Sequence, residues 1–118
     1  MNAIVLFGHG SRDPLWRQPM EAVAARIAAL RPGSLVCCAY LELDQPDLLD
    51  AAEQLVGQGA TGMTIVPMFL GTGRHARDDL PALVEKVRQS HPALKLALQR
   101  PVGEDPRVLD LIASLALE

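Results

Sequence analysis

With 118 residues and a formal charge of −3 at pH 7, the chain has the size of one small domain covering residues 1–118. Hydrophobic residues make up 49% of it, which argues against disorder, while the mild acidity and scarcity of aromatic residues (3%) argue against nucleic-acid binding. No apolar run approaches the roughly 18 residues of a membrane span, and no secretory leader opens the chain, so we expect a cytoplasmic protein that binds no membrane.

Four short apolar segments, each bounded by turn residues, predict buried strands. In chain order they are Ala3–Phe7, Leu35–Tyr40, Met63–Val66 and the weaker Leu94–Leu98. Each is followed by a stretch with helical periodicity. Such strict alternation, with connections too long for hairpins, is typical of a parallel sheet whose two faces are both covered.

Capping and breaking residues predict where the helices begin and end. Asp13-Pro14 is expected to start the first helix and Pro32-Gly33 to end it, with an apolar stripe of Trp16, Met20, Val23, Ile27 and Leu30. The second is entered through Pro46 and carries Leu48, Leu49, Ala52, Leu55 and Val56; the third carries Leu83, Val84 and Val87. Asp105-Pro106 opens the fourth, whose apolar face holds Val108, Leu109, Ile112 and Leu115.

The predicted fold is therefore a single α/β domain with an open, mainly parallel four-stranded sheet and helices on both faces, like half of a flavodoxin-like fold. The order of the strands does not follow from the sequence. Cys37 and Cys38 are neighbours on a predicted strand, where adjacent side chains point to opposite faces, so we expect two buried free thiols rather than a disulfide.

Polar, glycine-rich segments follow the first three strands: "GHGSRDP", "LELDQP" and "PMFLGTGRHARDD". Because the carboxyl ends of parallel strands meet at one edge of the sheet, His9, Glu42 and His75 are expected on loops at the same edge. Two imidazoles and a carboxylate suit a divalent transition metal and could also transfer protons. Each histidine could equally be an ordinary hydrogen-bonded loop residue.

Other functional motifs are absent, and the remaining polar residues give little evidence of function. There is no G-x-x-x-x-G-K-[ST] phosphate loop, so no nucleotide cofactor is expected. "GHGSR" is not the G-x-S-x-G of a hydrolase, so Ser11 either caps a nearby helix or contacts a ligand. His91, at the predicted end of the third helix, is expected to be solvated.

Three fragments resemble the class II chelatases in order and spacing. They are "HGSRDP", "YLELDQP" and "VPMFLGTGRHARDDLP", with a fainter match through "RPVGEDPRVLDLI". Within that family the chain is most similar to the short-form sirohydrochlorin cobaltochelatases and their iron- and nickel-inserting relatives. The resemblance implies a metal-inserting enzyme of tetrapyrrole or cobalamin biosynthesis that needs no nucleotide.

The resemblance also implies roles for individual residues. His9 and His75 would be the catalytic pair that binds the metal and accepts pyrrole protons, and Glu42 the acidic residue that assists proton removal or metal delivery. Substrate-binding residues would be Gly10, Ser11, Arg12, Gly73 and Arg74, where cationic side chains meet the carboxylates of sirohydrochlorin. Cobalt is the expected metal substrate, ahead of iron and nickel.

Long-form relatives join two such domains around one cleft, so the resemblance implies a homodimer for a chain with one domain. Residues 68–70 ("MFL") and Trp16 could then line the cleft or the interface, or simply pack in the core. Two rival functions stay open: a non-catalytic metal or tetrapyrrole carrier that uses the same pocket, and an α/β interaction domain that binds neither.

Overall fold

The computed structural model describes all 118 residues and places every predicted element. The strands are β1 (Asn2–Gly8), β2 (Leu35–Tyr40), β3 (Gly62–Pro67) and β4 (Lys95–Leu98). The helices are α1 (Gln18–Leu30), α2 (Leu48–Gly57), α3 (Arg74–Ser90) and α4 (Pro106–Ala116), and a 3₁₀ turn (Val102–Glu104) precedes α4. No helix has the length and apolar content needed to cross a membrane.

All four strands are parallel and lie in the order β2-β1-β3-β4, which confirms the predicted α/β sheet. Leu6 of β1 aligns with Cys38 of β2 and with Val66 of β3, so β1 occupies the centre of the sheet. The chain moves from β1 to one side and then crosses back to β3. This reversal puts α1 on one face of the sheet and α2 and α3 on the other.

The main core lies between the sheet and the α2/α3 layer. Phe7, Met63 and Ile65 are fully buried there, together with Leu48 of α2 and Val87 of α3. The rings of Phe7 and Phe69 meet edge to face with centroids 6.1 Å apart, an arrangement that aromatic pairs favour. Burial of Phe69 settles its role as core packing, whereas Leu70 is exposed.

A smaller core lies under α1, where Leu6, Met20 and Tyr40 are buried. The predicted start of α1 at Asp13-Pro14 was wrong, because the helix begins at Gln18. Asp13 instead closes a turn: its Oδ1 accepts a hydrogen bond from Leu15 N at 2.9 Å and its carbonyl accepts one from Trp16 N at 3.1 Å. Asp side chains stabilise such turns as readily as they cap helices.

Helix α3 begins at Arg74, so the prediction that His75 lies on a loop was wrong. The sequence pattern underestimated this helix because its first two turns carry mostly charged side chains. His75 is therefore held by the backbone of a helical turn, whereas His9 follows the last residue of β1.

The structure confirms that the two thiols are free, and it corrects the burial predicted for them and for His91. Cys37 and Cys38 are free, as expected, but half-buried rather than buried. Burial, with a smaller effect of Cys38, raises the pKa of the Cys37 thiol to about 11. His91 was expected to be solvated; it ends α3, is half-buried, and its Nε2 is buried without a hydrogen-bond partner.

Helix α4 begins at Pro106 as predicted, and the Asp105 side chain accepts a hydrogen bond from Arg107 N at 2.9 Å. No residue of α4 is buried, so its apolar face is not covered within the domain. Within the chain, α4 packs chiefly against the 3₁₀ turn that precedes it.

Candidate functional site

The carboxyl edge of the sheet brings together the ends of the strands that sequence analysis singled out. Because β1 lies between β2 and β3, the loop of His9 has the Glu42 loop on one side and the segment leading to His75 on the other. The first two loops are hydrogen-bonded: Leu41 N donates to Gly8 O at 2.9 Å, and Glu42 N donates to His9 O at 3.1 Å. The direction in which successive strands are added to the sheet reverses between β1 and β3, and open α/β sheets bind ligands at such a point.

His9 and Glu42 form a side-chain pair. His9 Nε2 lies 3.1 Å from Glu42 Oε1, and the two side chains are 49% and 50% exposed. A carboxylate bound to one ring nitrogen of a histidine orients the ring and sets which nitrogen carries the proton. The other nitrogen of His9 is then free to act as a ligand or as a base toward a bound molecule.

His75 forms a second, separate pair. Its Nε2 lies 3.3 Å from Oδ2 of Asp79, one helical turn later on α3, and its side chain is 77% exposed. Asp79 was not predicted as a site residue, although its i, i+4 spacing from His75 was readable in the sequence. No group of three or more His, Cys, Asp or Glu side chains is close enough to hold a metal ion. The structure thus joins His9 to Glu42, and His75 to Asp79.

The close approach of the His9 loop and the Glu42 loop requires a glycine at position 10. Its φ is +101°, and a Cβ added there would lie 1.7 Å from the carbonyl oxygen of Glu42. A side chain at this position would both strain the backbone and push the Glu42 loop away. The glycine therefore permits the close contact on which the His9–Glu42 pair depends.

Asp44 stabilises the same loops and was missed by sequence analysis. Its side chain is 7% exposed; Oδ2 accepts a hydrogen bond from Ser11 N at 3.0 Å, and Oδ1 accepts one from Arg17 Nη1 at 2.9 Å. The Ser11 hydroxyl accepts a hydrogen bond from Asp13 N at 3.1 Å, so it stabilises its own turn rather than capping α1. Asp44 thereby ties the loop after β2 to the segment between β1 and α1, at Ser11 and again at Arg17.

Three exposed arginines surround the histidines. Arg12 follows His9, while Arg74 and Arg77 lie in the first turn of α3, and none of them forms an ion pair. Gly73 precedes that turn as its N-cap and has no side chain to cap it, so the first N–H groups of α3 have no partner within the helix. Unpaired guanidinium groups beside a helix N-terminus favour carboxylate ligands.

A cleft of about 370 Å³ opens beside this edge, between the ends of β3 and β4 and the start of α3. Its walls include Phe69, Leu80 and Leu98, with Arg77 and Arg100 at its polar side. Neither His9 nor His75 lines it. The two exposed histidines therefore lie on an open rim outside the cleft, and a ligand that reached both would extend over the surface of the domain.

Comparison with known proteins identifies the family. The CbiX family model matches residues 3–118. The chain is 27% identical to the sirohydrochlorin cobaltochelatase of Methanococcoides burtonii, over 98% of this chain and 94% of that protein. It is 31% identical to the sirohydrochlorin ferrochelatase of Bacillus subtilis, over 93% of this chain but 42% of that protein. The chain thus spans less than half the length of the Bacillus relative.

Comparison with solved structures points to the same family. A cobalamin (vitamin B12) biosynthesis CbiX protein from Marinobacter aquaeolei superimposes with a TM-score of 0.85 at 32% identity, over 99% of this chain and 95% of that one. The sirohydrochlorin chelatase SirB from Bacillus subtilis subspecies spizizenii, in complex with cobalt, gives 0.83 at 28% identity, over 98% of this chain and 50% of that one. With the family model covering almost the whole chain, this protein belongs to the CbiX family.

Proposed function

We propose that this protein inserts a divalent metal ion into sirohydrochlorin without using a nucleotide. The observation that carries the proposal is that His9, directly after β1, and His75, in the first turn of the helix that follows the adjacent strand β3, are each paired with a carboxylate. Relatives in the same family are named for this reaction with cobalt and with iron.

The chemistry of metallation defines what the two histidines would do. The ring must lose two pyrrole protons, and the metal must exchange its water ligands for ring nitrogens. A neutral imidazole can serve as a transient metal ligand and as a proton acceptor. In the proposed mechanism His9 and His75 perform these steps, Glu42 orients His9 and receives its proton, and Asp79 does the same for His75.

Substrate binding would depend on the polar rim around the histidines. Sirohydrochlorin carries several carboxylates, whereas the protein as a whole is acidic, so binding requires local positive charge. Arg12 and Arg74 supply it without competing ion pairs of their own. Gly10, Ser11 and Gly73 allow the backbone to approach the ring, and we propose all five residues as the substrate contacts.

Cobalt is the proposed metal substrate, with iron or nickel as alternatives. Two imidazoles and a carboxylate do not select among these ions, because their affinities for such ligands follow a common order and availability decides. The test is absorbance-monitored metallation of sirohydrochlorin with each divalent ion in turn, at equal free concentrations. We expect cobalt to give the highest kcat/KM and ATP to have no effect; faster insertion of iron would reassign the enzyme to siroheme synthesis.

A carrier function is the second candidate, since the histidines are exposed and no complete metal site is assembled. A carrier would bind one equivalent of metal or tetrapyrrole and stop, whereas an enzyme converts many equivalents. An interaction domain would bind neither compound specifically.

We also propose that the working unit is a homodimer in the cytoplasm. His75 is 77% exposed and His9 is 49% exposed on an open rim, whereas binding sites usually enclose most of a ligand of this size. A second copy facing the first would close the rim into a cleft. Trp16, 38% exposed and 6.1 Å from the ring of Tyr40, lies near this edge and could line such a cleft.

A further inference from the structure

The cleft between β3, β4 and the start of α3 takes no part in the proposed mechanism. It opens at the carboxyl edge of the sheet, because its lining includes Pro67, the last residue of β3, and Gln99 and Arg100, which follow β4. Open α/β sheets bind their ligands beyond this edge. Its volume of about 370 Å³ is too small for a whole tetrapyrrole but large enough for a substituent of one.

The walls of the cleft are apolar and two guanidinium groups line it. Phe69 and Leu80 are each 7% exposed, and Leu98 is 45% exposed. Arg77 and Arg100 are exposed, and neither forms an ion pair. Guanidinium groups without a partner bind carboxylates, often through two parallel hydrogen bonds. The cleft therefore suits a short hydrocarbon chain that ends in a carboxylate.

The balance of charge in the cleft also favours an anion. Glu104 is the one carboxylate among the lining residues, against the two arginines, which gives the lining a net charge of +1. Asp105, the next residue along the chain, is paired with Arg107 at 2.7 Å and so does not occupy Arg100. Glu104 weakens the attraction for an anion without reversing it.

Backbone contacts form the cleft in advance of any ligand. Gln99 N donates to Ile65 O at 2.9 Å, and Gly103 N donates to Phe69 O at 2.9 Å, so the segment after β4 is held against the end of β3. The chain packs so closely here that Gly103 has no room for a Cβ beside the carbonyl of Leu70. A cleft that is already formed has little ordering cost to offset when a ligand binds.

The cleft begins close to His75. Ala76 and Arg77, the next two residues of α3, both line it. In an α-helix two positions correspond to a rotation of about 200° and a rise of about 3 Å. His75 and Arg77 thus lie on different sides of the same helical turn, and a ring placed over His75 has its edge within reach of the cleft.

We propose that the cleft receives one carboxylate side arm of the tetrapyrrole, with its methylene groups against Phe69, Leu80 and Leu98 and its carboxylate between Arg77 and Arg100. The acetate and propionate substituents of sirohydrochlorin have this chemistry. An arm seated there would fix the rotation of the ring over the two histidines. The inference rests on the proposed function and adds a binding site that lies outside the rim of Arg12 and Arg74.

Binding of sirohydrochlorin without metal tests the site separately from catalysis. We expect Arg77→Gln and Arg100→Gln each to raise the Kd, measured by absorbance titration, about tenfold, since each removes one charge-assisted hydrogen bond. Arg88→Gln is the matched control, because it removes the same charge from an exposed position of α3 far along the helix, and it should leave the Kd unchanged.

Glu104→Gln provides a test of sign. Removing the one carboxylate of the lining should lower the Kd, about threefold for an exposed charge. A general loss of structure at the cleft would weaken binding in all three variants and would not produce opposite shifts. In metal insertion the arginine variants should show a raised KM with unchanged kcat, because the arm is bound equally before and during the reaction.

The outcomes separate this inference from the proposed function. If wild type binds sirohydrochlorin and inserts metal while both arginine variants bind as tightly as wild type, the cleft is not a substrate site and the inference is overturned. The same result is expected if the cleft holds a free anion such as inorganic phosphate. If wild type fails to bind sirohydrochlorin at all, the proposed function is overturned together with the inference.

Discussion

His9 Nε2 lies 3.1 Å from Glu42 Oε1, although the two residues are 33 positions apart in the chain. The contact depends on the parallel pairing of β1 with β2, which sets the two following loops side by side, and on backbone hydrogen bonds between those loops. It converts an exposed histidine into one with a fixed orientation. The same relation, histidine with carboxylate, recurs at His75 and Asp79 within one helix.

The first prediction concerns Glu42. Glu42→Gln retains the shape of the side chain but removes the charge that orients His9 and accepts its proton. Loss of an outer carboxylate partner of a functional histidine typically costs about 10–100-fold. We expect kcat for metal insertion to fall within this range, and less than in His9→Ala. Glu53→Gln, exposed on α2, is the control. A Glu42→Gln enzyme as inactive as His9→Ala would show that Glu42 acts on the metal or substrate itself rather than through His9.

The second prediction concerns Gly10. Gly10→Ala places a Cβ against Glu42 O and holds a non-glycine residue at a φ of +101°, at a cost of about 1–3 kcal/mol. We expect a lower free energy of unfolding in urea and slower insertion, because the His9 and Glu42 loops must separate. Gly71→Ala is the matched control: it follows β3, has open space around it and has no left-handed φ. Equal effects of the two substitutions would contradict the argument.

The third prediction concerns Asp44. Asp44→Ala leaves the part-buried Ser11 N–H without its acceptor, and an unsatisfied group of this kind costs about 1–3 kcal/mol. Arg17 loses one ion pair but keeps its hydrogen bond to Glu21 through Nε. Urea unfolding should show this loss of stability, whereas Glu53→Ala on the surface should change it little. If Asp44 acts through the loop, KM for sirohydrochlorin should rise as well. A variant with wild-type stability would show that the buried carboxylate is not what holds the loop.

Much of this architecture could be predicted from the sequence, and the failures have physical causes. The strands were recognisable from short apolar runs, such as those that contain Val5 and Ile65. Only a sheet that is covered on both faces can bury such runs. Strand order is set by long-range packing and left no local signal. Asp44 was missed because an aspartate in a polar loop resembles any solvated turn residue, and its burial depends on Arg17, which lies 27 positions earlier.

Helix α4 illustrates another limit. The periodicity of Leu109, Ile112 and Leu115 predicts a helix with one apolar face, and that prediction is confirmed. Periodicity does not say what the face packs against, because a neighbour in the same chain and a neighbour in another copy select the same residues.

The fourth prediction uses the thiol of Cys37. Burial raises its pKa to about 11, so folding favours the protonated form. The corresponding stability is fully present below the pKa of about 8.5 expected in the unfolded chain, and it is lost as pH rises toward 11. Urea unfolding between pH 8.5 and 11 should therefore show a steeper decline for wild type than for Cys37→Ala. Parallel declines would contradict the raised pKa.

The central claim is that His9 and His75 together carry out catalysed metal insertion, which makes multiple turnover of sirohydrochlorin the most direct measurement. With substrate and cobalt in large excess over protein, absorbance should report many equivalents of metallated product per chain for wild type. The His9→Ala, His75→Ala double variant should fall to the uncatalysed rate while keeping its circular dichroism, since both side chains are exposed. A double variant that turns over as fast as wild type, or a wild type that stops after one equivalent, would contradict the account.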